Sequence, residues 1–225
     1  MGNLRLDLHV HSRHSPDSSL SIETLATNLV AHGLNGFALT DHNTVAGHAE
    51  LAEWQAKLPD LVLVPGVEIS TAEGHLLAYG VSELPPLHQP VADTIAWVRD
   101  HGGVSVLAHP FRLSHGVGGS VAESVRVDAI EVVNGHNSPR ANRRADRVAV
   151  RRGLGRTGGS DVHELSDLGR AYTEFSEGTS RVETILAALR SRGSTAGGTA
   201  LPLADRIRTE WRTVVLRLRR GFRPI

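Results

Sequence analysis

The sequence predicts an α/β fold with a parallel sheet of seven strand–helix units closed or nearly closed into a barrel, and three observations predict it. Short apolar runs alternate with polar loops and helix-patterned stretches seven times along the 225 residues. Histidines and carboxylates stand beside those runs, chiefly at their C-terminal ends, where parallel barrels build their sites. No Gly-x-Gly-x-x-Gly follows the first strand, which disfavours an open Rossmann-type sheet, and ligands scattered over six or seven strands converge only inside a ring.

The first strand is set by Leu6, Asp7, Leu8, His9, Val10 and His11. Polar and apolar side chains alternate there with the strand period of two, so Asp7, His9 and His11 share a face and two imidazoles can grip one cation. A polar loop over 17–21 follows. Ser21 caps a helix to about residue 31 that Ile22, Leu25, Leu29 and Val30 stripe and Gly33 ends. Residues 36–40 are the second strand, leading into Asp41 and His42, and 44–57 are helical in pattern up to Pro59. The third strand, 61–64, runs towards Glu68, and the fourth, 75–81, begins with His75.

Pro85, Pro86 and Pro90 stiffen the path into a helix over 91–101, which Gly102 and Gly103 stop. The fifth strand, 104–108, meets His109. A loop over 115–120 and a short helical piece lead to the sixth, 129–133, beside Asn134. Ser138 and Pro139 open an arginine-rich helix to about 152. The seventh strand, 154–157, precedes Asp161 and His163; residues 171–175 extend the set, and Ser180 with Glu183 forms a capping box for a helix to about 190.

Composition narrows the chemistry. With no cysteine, a metal has only nitrogen and oxygen ligands, which favours zinc, manganese or iron(II) over a thiolate site. There is no apolar run long enough to span a bilayer and no signal-peptide pattern, so a cytoplasmic location is expected. Zero net charge hides an asymmetry: beyond Arg190 eight arginines face only Asp205 and Glu210, so the body is acidic and the tail basic. The expected organisation is a barrel domain over 1–190, a flexible Gly/Ser/Thr linker over 191–200, and a basic amphipathic helix over 201–225. In that helix Leu203, Ile207, Trp211, Val214, Leu218 and Phe222 recur at helical spacing. It reads first as a helix docked on the barrel or on another subunit, with anionic lipid or nucleic acid as the other partners it suits.

A lone histidine beside an apolar strand is ordinarily a packed or surface residue, and His14, His32, His48, His88, His101, His115 and His136 read that way. The convergence of His-x-His, Thr-Asp-His, Pro-Gly-x-Glu, Ala-His-Pro and Gly-Ser-Asp-x-His at strand ends is another matter. Two cations a few ångströms apart lower the pKa of a shared water and clamp a phosphate's oxygens, and no side-chain nucleophile is needed. Ser160 reads as a turn residue, and Asp7 and Asp41 as groups that orient a ligating imidazole. Asn134 stands at the mouth, either touching water or substrate or capping a turn. Arg112, just after His109 and Pro110, is the best phosphate-binding candidate, ahead of Arg13 and Arg170.

Asp-Leu-His-Val-His-Ser, Thr-Asp-His-Asn-Thr, Pro-Gly-Val-Glu-Ile-Ser, His-Leu-Leu-Ala-Tyr-Gly, Ala-His-Pro, Glu-Val-Val-Asn-Gly and Gly-Gly-Ser-Asp-Val-His stand in the order of the polymerase and histidinol phosphatase (PHP) family. From residue 4 to about 176 the chain resembles that family, which implies a distorted (β/α)7 barrel with two or three divalent metals at its mouth. By that resemblance His9, His11, Glu68 and Asp161 hold one metal and act in catalysis through its water. Glu68, His75 and His109 hold a second. Asp17, His42 and His163 hold a third, with His14 as the alternative to Asp17, because the family's Ser-Asp-Gly reads Pro-Asp-Ser here.

The expected function is hydrolysis of a phosphomonoester or short phosphodiester: a nucleotide, an oligonucleotide or a phosphorylated metabolite. The acidic body lacks a continuous basic groove for duplex DNA. A metal-dependent amidohydrolase acting on a C–N bond is the alternative, and a non-catalytic binding module the third reading.

Overall fold

A computed structural model describes residues 3–176 and 179–221 of the chain. Its strands are β1 (Leu4–Val10), β2 (Gly36–Leu39), β3 (Val62–Ser70), β4 (His75–Tyr79), β5 (Val104–Leu107), β6 (Ala129–Asn134), β7 (Gly155–Gly159), β8 (Ala171–Phe175) and β9 (Ser194–Gly198). They form one sheet in the order β7-β6-β5-β4-β3-β2-β1-β8-β9. The sheet curls until the segment after β7 meets β1. Val10 and Val162 form a parallel bridge, and the Asp161 and His11 amides donate to the His9 and Val162 carbonyls at 2.8 and 3.1 Å. The fold is the expected distorted (β/α)7 barrel, with β8 and β9 as an antiparallel extension beside β1.

One strand departs from the parallel expectation. β4 runs antiparallel to both β3 and β5, whereas β1, β2 and β3 run parallel to one another, as do β5, β6 and β7. Only Thr71 to Gly74 join β3 to β4, and a parallel crossover needs about a dozen residues. The reversal explains why His75 opens its strand while His42 and His109 follow theirs: the N-terminal end of a reversed strand lies at the same rim as the C-terminal ends of its neighbours. β3 is also longer than expected, so Glu68 lies within the strand.

The helices are α1 (Ile22–Asn28), α2 (His48–Lys57), α3 (Val91–Asp100), α4 (Gly118–Ser124), α5 (Pro139–Arg152), α6 (Val182–Arg190) and α7 (Leu203–Arg219). Ser21 and Ser138 cap α1 and α5 as expected, accepting from Thr24 N at 3.0 Å and Ala141 N at 3.1 Å. After α1 a 3-10 turn, Val30–His32, reaches Gly33 at φ 70°, and Val30, expected in the apolar stripe, is exposed. Leu25, Leu29 and Leu51 pack on Phe37, Leu39 and Leu63, and Val91, Ile95, Val98 and Ala145 pack on Ile69, Leu76 and Ile130. Ile185 and Leu189 of α6 join Leu6, Leu8, Val64 and Val106 in a third cluster. The capping box expected from Ser180 and Glu183 is displaced by one residue: Arg181 is the N-cap, and its amide donates to Thr184 Oγ1 at 3.1 Å.

Residues 191–200 are not the flexible linker expected from their small side chains. Ser194–Gly198 is the edge strand β9, paired with β8 from Phe175–Ser194 to Ala171–Gly198, because small residues suit close backbone approach: a Cβ on Gly197 would stand 2.4 Å from the Tyr172 ring. The following helix, α7, lies across the rim that carries the histidines. Phe222, expected to complete its stripe, lies outside the described residues.

Candidate metal centre

Glu68 is the hub of the site. Its Oε1 lies 2.7 Å from His75 Nδ1 and 3.0 Å from His109 Nε2, and its Oε2 lies 3.0, 3.2 and 3.3 Å from His9 Nε2, His11 Nε2 and His42 Nδ1. Asp161 adds a second carboxylate, with Oδ1 3.2 Å from His11 Nε2 and 3.6 Å from His9 Nε2. Asp17 adds a third, its Oδ2 3.0 Å from His42 Nε2 and 3.1 Å from His163 Nε2. His14 turns away to Glu50 at 2.9 Å, so Asp17 is the carboxylate beside His42 and His163.

Backbone conformation aims these groups. His109 and Asp161 both hold positive φ, 28° and 61°, a costly conformation for residues with a Cβ and one that tends to mark functional positions. At Gly159 a Cβ would stand 2.4 Å from His9 Cβ and 2.9 Å from Glu131 Oε1, so only glycine lets β7 approach β1 this closely. Asp7 and Asp41 do not orient an imidazole as expected. Asp7 accepts from the Ser160 and Gly169 amides at 2.8 and 3.1 Å and fixes the turn before Asp161, while Asp41 accepts from Ser12 N and Oγ at 2.6 and 2.7 Å and fixes the loop after His11.

The electrostatics call for positive charge. Burial alone would push the Glu68 carboxyl up, but His42, His9 and His75 hold it well below the usual range. Asp17 and Asp161 follow suit, burial being outweighed by His42 and His163 for the first and by His9 and Arg112 for the second. Burial opposes a proton on His11, yet Asp161, Asp17 and Glu68 raise its pKa to about 10. Burial, helped by Arg112, pushes His109 down to about 3, and burial also lowers His42. Protons on imidazole or a cation can meet this demand.

The donor set fits a divalent ion. His11 Nε2, His42 Nδ1 and His75 Nε2 are buried and lack a hydrogen-bond partner among the described residues, although the first two stand near carboxylates. Donor atoms of His9, His11, Glu68 and Asp161 lie within 4.8 Å of one another, as do those of His42, Glu68 and His75 and those of His11, His42 and His163. These are nitrogen and oxygen ligands of the kind zinc, manganese and iron accept. The first group is the expected one. The second brings His42 to Glu68 and His75 alongside the expected His109, and the third brings His11 to the pair that Asp17 touches.

Tautomers are set from outside. His163 Nδ1 donates to the Asp161 carbonyl at 2.8 Å, leaving Nε2 for Asp17, and His9 Nδ1 lies 2.9 Å from Glu131 Oε1, leaving Nε2 for the site. Glu131 was not among the expected site residues. The signal was available, since a carboxylate inside the apolar strand Ala-Ile-Glu-Val-Val requires a buried partner. Arg112 lines the mouth as expected, its Nη2 2.5 Å from Asp161 Oδ2 and 2.7 Å from Asn134 Oδ1. Asn134 itself is fully buried and donates to Glu131 at 2.9 Å, so it positions its neighbours and does not reach the cavity. Arg13 pairs with Glu50 at an exposed edge, and Arg170 is exposed.

Other residues at the mouth were unforeseen. His115, expected to be an ordinary packed or surface histidine, stacks on His75 with ring centroids 4.6 Å apart, and His136 lies edge-on to His163 at 5.7 Å. Thr209, Glu210, Thr213 and Arg217 of α7 roof the cavity, whose volume is about 90 Å³.

Residues 7–108 match the PHP domain family, and residues 139–193 match the PHP-associated family. The chain belongs to the PHP family. Among curated relatives, an uncharacterised protein of Methanocaldococcus jannaschii is 29% identical over 188 residues, covering 77% of this chain and 71% of that one. A 5'-3' exoribonuclease of Haemophilus influenzae is 48% identical over 67 residues, 30% of this chain and 24% of that protein. Among solved structures, a protein of Bifidobacterium adolescentis assigned as a metal-dependent phosphoesterase superposes with a TM-score of 0.63 at 19% identity, over 89% of this chain and 98% of its own. An amidohydrolase of Chromobacterium violaceum with bound sulfate superposes with a TM-score of 0.62 at 22% identity, over 83% and 96%. Both structures share the fold of this chain.

Proposed function

We propose that this PHP chain is a metal-dependent phosphoesterase, cleaving a phosphomonoester or short phosphodiester with water. The observation that carries the reading is the single cavity wall shared by the Glu68-centred donor cluster and the Arg112 guanidinium. When bound, divalent cations supply Lewis acidity and a water acidic enough to ionise near neutral pH. His9, His11, Glu68 and Asp161 would hold one ion, Glu68, His75 and His109 a second, and Asp17, His42 and His163 a third. Arg112, held between Asp161 and Asn134, presents its guanidinium to an anionic group entering the mouth. His115, exposed at the mouth, can hydrogen-bond the oxygen of the departing alcohol.

Small substrates suit this site. About 90 Å³ admits little beyond a phosphoryl group, so the remainder of a nucleotide, short oligonucleotide or phosphorylated metabolite must pass beside α7 or displace it. The Haemophilus exoribonuclease and the Bifidobacterium assignment support the phosphoester class, and the Chromobacterium protein of the same fold carries a bound sulfate, a tetrahedral anion like phosphate. An amidohydrolase reaction on a C–N bond is supported less, because an amide offers no charge for Arg112 to meet.

The test combines metal analysis of purified protein with phosphate release from an aryl phosphate in added manganese or zinc. Wild type should hold two or three metals per chain and release phosphate; Glu68→Ala should lose both. Bound metal with hydrolysis of cyclic amides and none of phosphate esters would replace the reading, and folded protein that takes up no metal would leave a binding module.

A further inference from the structure

The C-terminal helix α7 is amphipathic, yet it docks the opposite way round from a helix packed by apolar burial. Leu203, Ile207, Trp211, Val214 and Leu218 are 62%, 61%, 70%, 40% and 61% exposed. At 100° per residue they fall within one 80° sector and make a continuous outward stripe along a helix of 17 residues, about 25 Å long. The face turned to the barrel is mostly polar: Thr209 is buried, Thr213 and Arg217 line the cavity with the edge of Val214, and Leu216 is half-buried beside them. Polar contacts hold the helix down. Arg212 Nη1 lies 2.7 Å from both oxygens of Glu164, and Arg220, just past the helix, donates to the Ser15 and Ser18 carbonyls at 2.8 and 2.9 Å. Five large apolar side chains in a row are therefore left facing outward by a helix that is already docked.

We propose that this outer face of α7 seats on an anionic lipid surface, with the helix lying in the plane of the interface. The charges beside the stripe select that occupant. Arg208 and Arg219 border it on one side and Arg206 on the other, with Glu210 the single acidic residue at its edge. Basic flanks on an apolar sector that contains a tryptophan match a layer of anionic headgroups over acyl chains. A second copy of the chain would set arginines against arginines across the two-fold axis. No helix of the described residues is long and apolar enough to cross a membrane, so the contact is peripheral. Seated in this way, α7 holds the barrel mouth within about one helix diameter, ~10 Å, of the headgroups.

The experiment is co-sedimentation of the full-length protein with phosphatidylcholine vesicles, with and without phosphatidylglycerol, at low and high salt. At least about tenfold more protein should sediment with the anionic vesicles, and added salt should reduce the difference. Two variants are compared by circular dichroism for fold and then by sedimentation: Ile207→Ser/Trp211→Ser/Leu218→Ser removes the apolar sector, and Arg208→Glu/Arg219→Glu reverses a flank. Both should stay folded, because these side chains face outward, and both should lose anionic-vesicle binding about tenfold. Failure of wild type to bind vesicles, equal binding to neutral and anionic vesicles, or unchanged binding by the folded variants would overturn the proposal. So would a wild-type dimer in light scattering that the triple variant converts to monomer, since the stripe would then belong to a second copy.

Discussion

His9 Nδ1 stands 2.9 Å from Glu131 Oε1, and this buried pair decides which nitrogen of His9 faces the site. The other oxygen of Glu131 accepts from the His109 amide at 2.8 Å and from Asn134 Nδ2 at 2.9 Å, so one carboxylate orients one imidazole and anchors the turn that carries another. Glu131→Gln should keep the fold but weaken metal binding by about 10- to 100-fold, the usual cost of losing such a partner. Competition against a chromophoric chelator measures it; unchanged affinity would remove the orienting role.

The close approach of β7 to β1 makes a second prediction. Gly159→Ala would drive a methyl into His9 Cβ at 2.4 Å and the His9 amide at 2.8 Å, both on an inflexible strand. Overpacking of this kind costs about 1–3 kcal/mol, so the melting temperature should fall and metal uptake should fall with it. A variant as stable and as well loaded as wild type would show that the strands can separate freely.

The histidines give metal-free protein a definite pH response. His11 has its folded pKa raised to about 10 from 6.5, so its contribution is complete below 6.5 and lost as pH climbs through 10. His9 and His163 shift in the same direction. His109, lowered to about 3, works in the opposite sense, but its effect falls between 6.5 and 3 and is constant above 6.5. Asp7, raised by burial to about 7, also loses stability as pH rises, and that loss is complete near 7. Metal-free protein should therefore melt progressively lower from pH 6.5 to 10, while apparent metal affinity rises over the same range as protons leave His9 and His11. Thermal melts with and without chelator would show it. A metal-free melting temperature that rises over this window would contradict the charge assignment.

Removing α7 should open the mouth. Deletion of residues 201–225 takes away Thr209, Glu210, Thr213 and Arg217 from the cavity wall. The kcat/KM ratio for a bulky phosphodiester over a small phosphomonoester should rise about tenfold, equivalent to ~1.4 kcal/mol. An unchanged ratio in a folded truncation would mean that α7 does not limit entry.

What the chain does with Asp41 and Asp17 shows where sequence and structure part. Both are buried acids near histidines, and both suited a place at the site. Asp17 stands between His42 and His163, whereas Asp41 spends its acceptors on Ser12. Only the path of the loop after His11 separates the two, and spacing along a loop does not encode direction.

The sequence by itself determined the barrel, the rim on which chemistry gathers, and the imidazoles and carboxylates that meet there. Those follow from local signals: period-two strands, cap residues, and polar groups placed where apolar runs stop. Tertiary structure decided the reversal of β4, the pairing of Glu131 with His9, the edge strand made from a stretch that reads as linker, and the seating of α7 over the mouth with its apolar stripe outward. Each joins residues far apart in the chain or sets the side of an element that faces its neighbour. Periodicity reports that a helix has two faces, and only the surface it meets chooses between them.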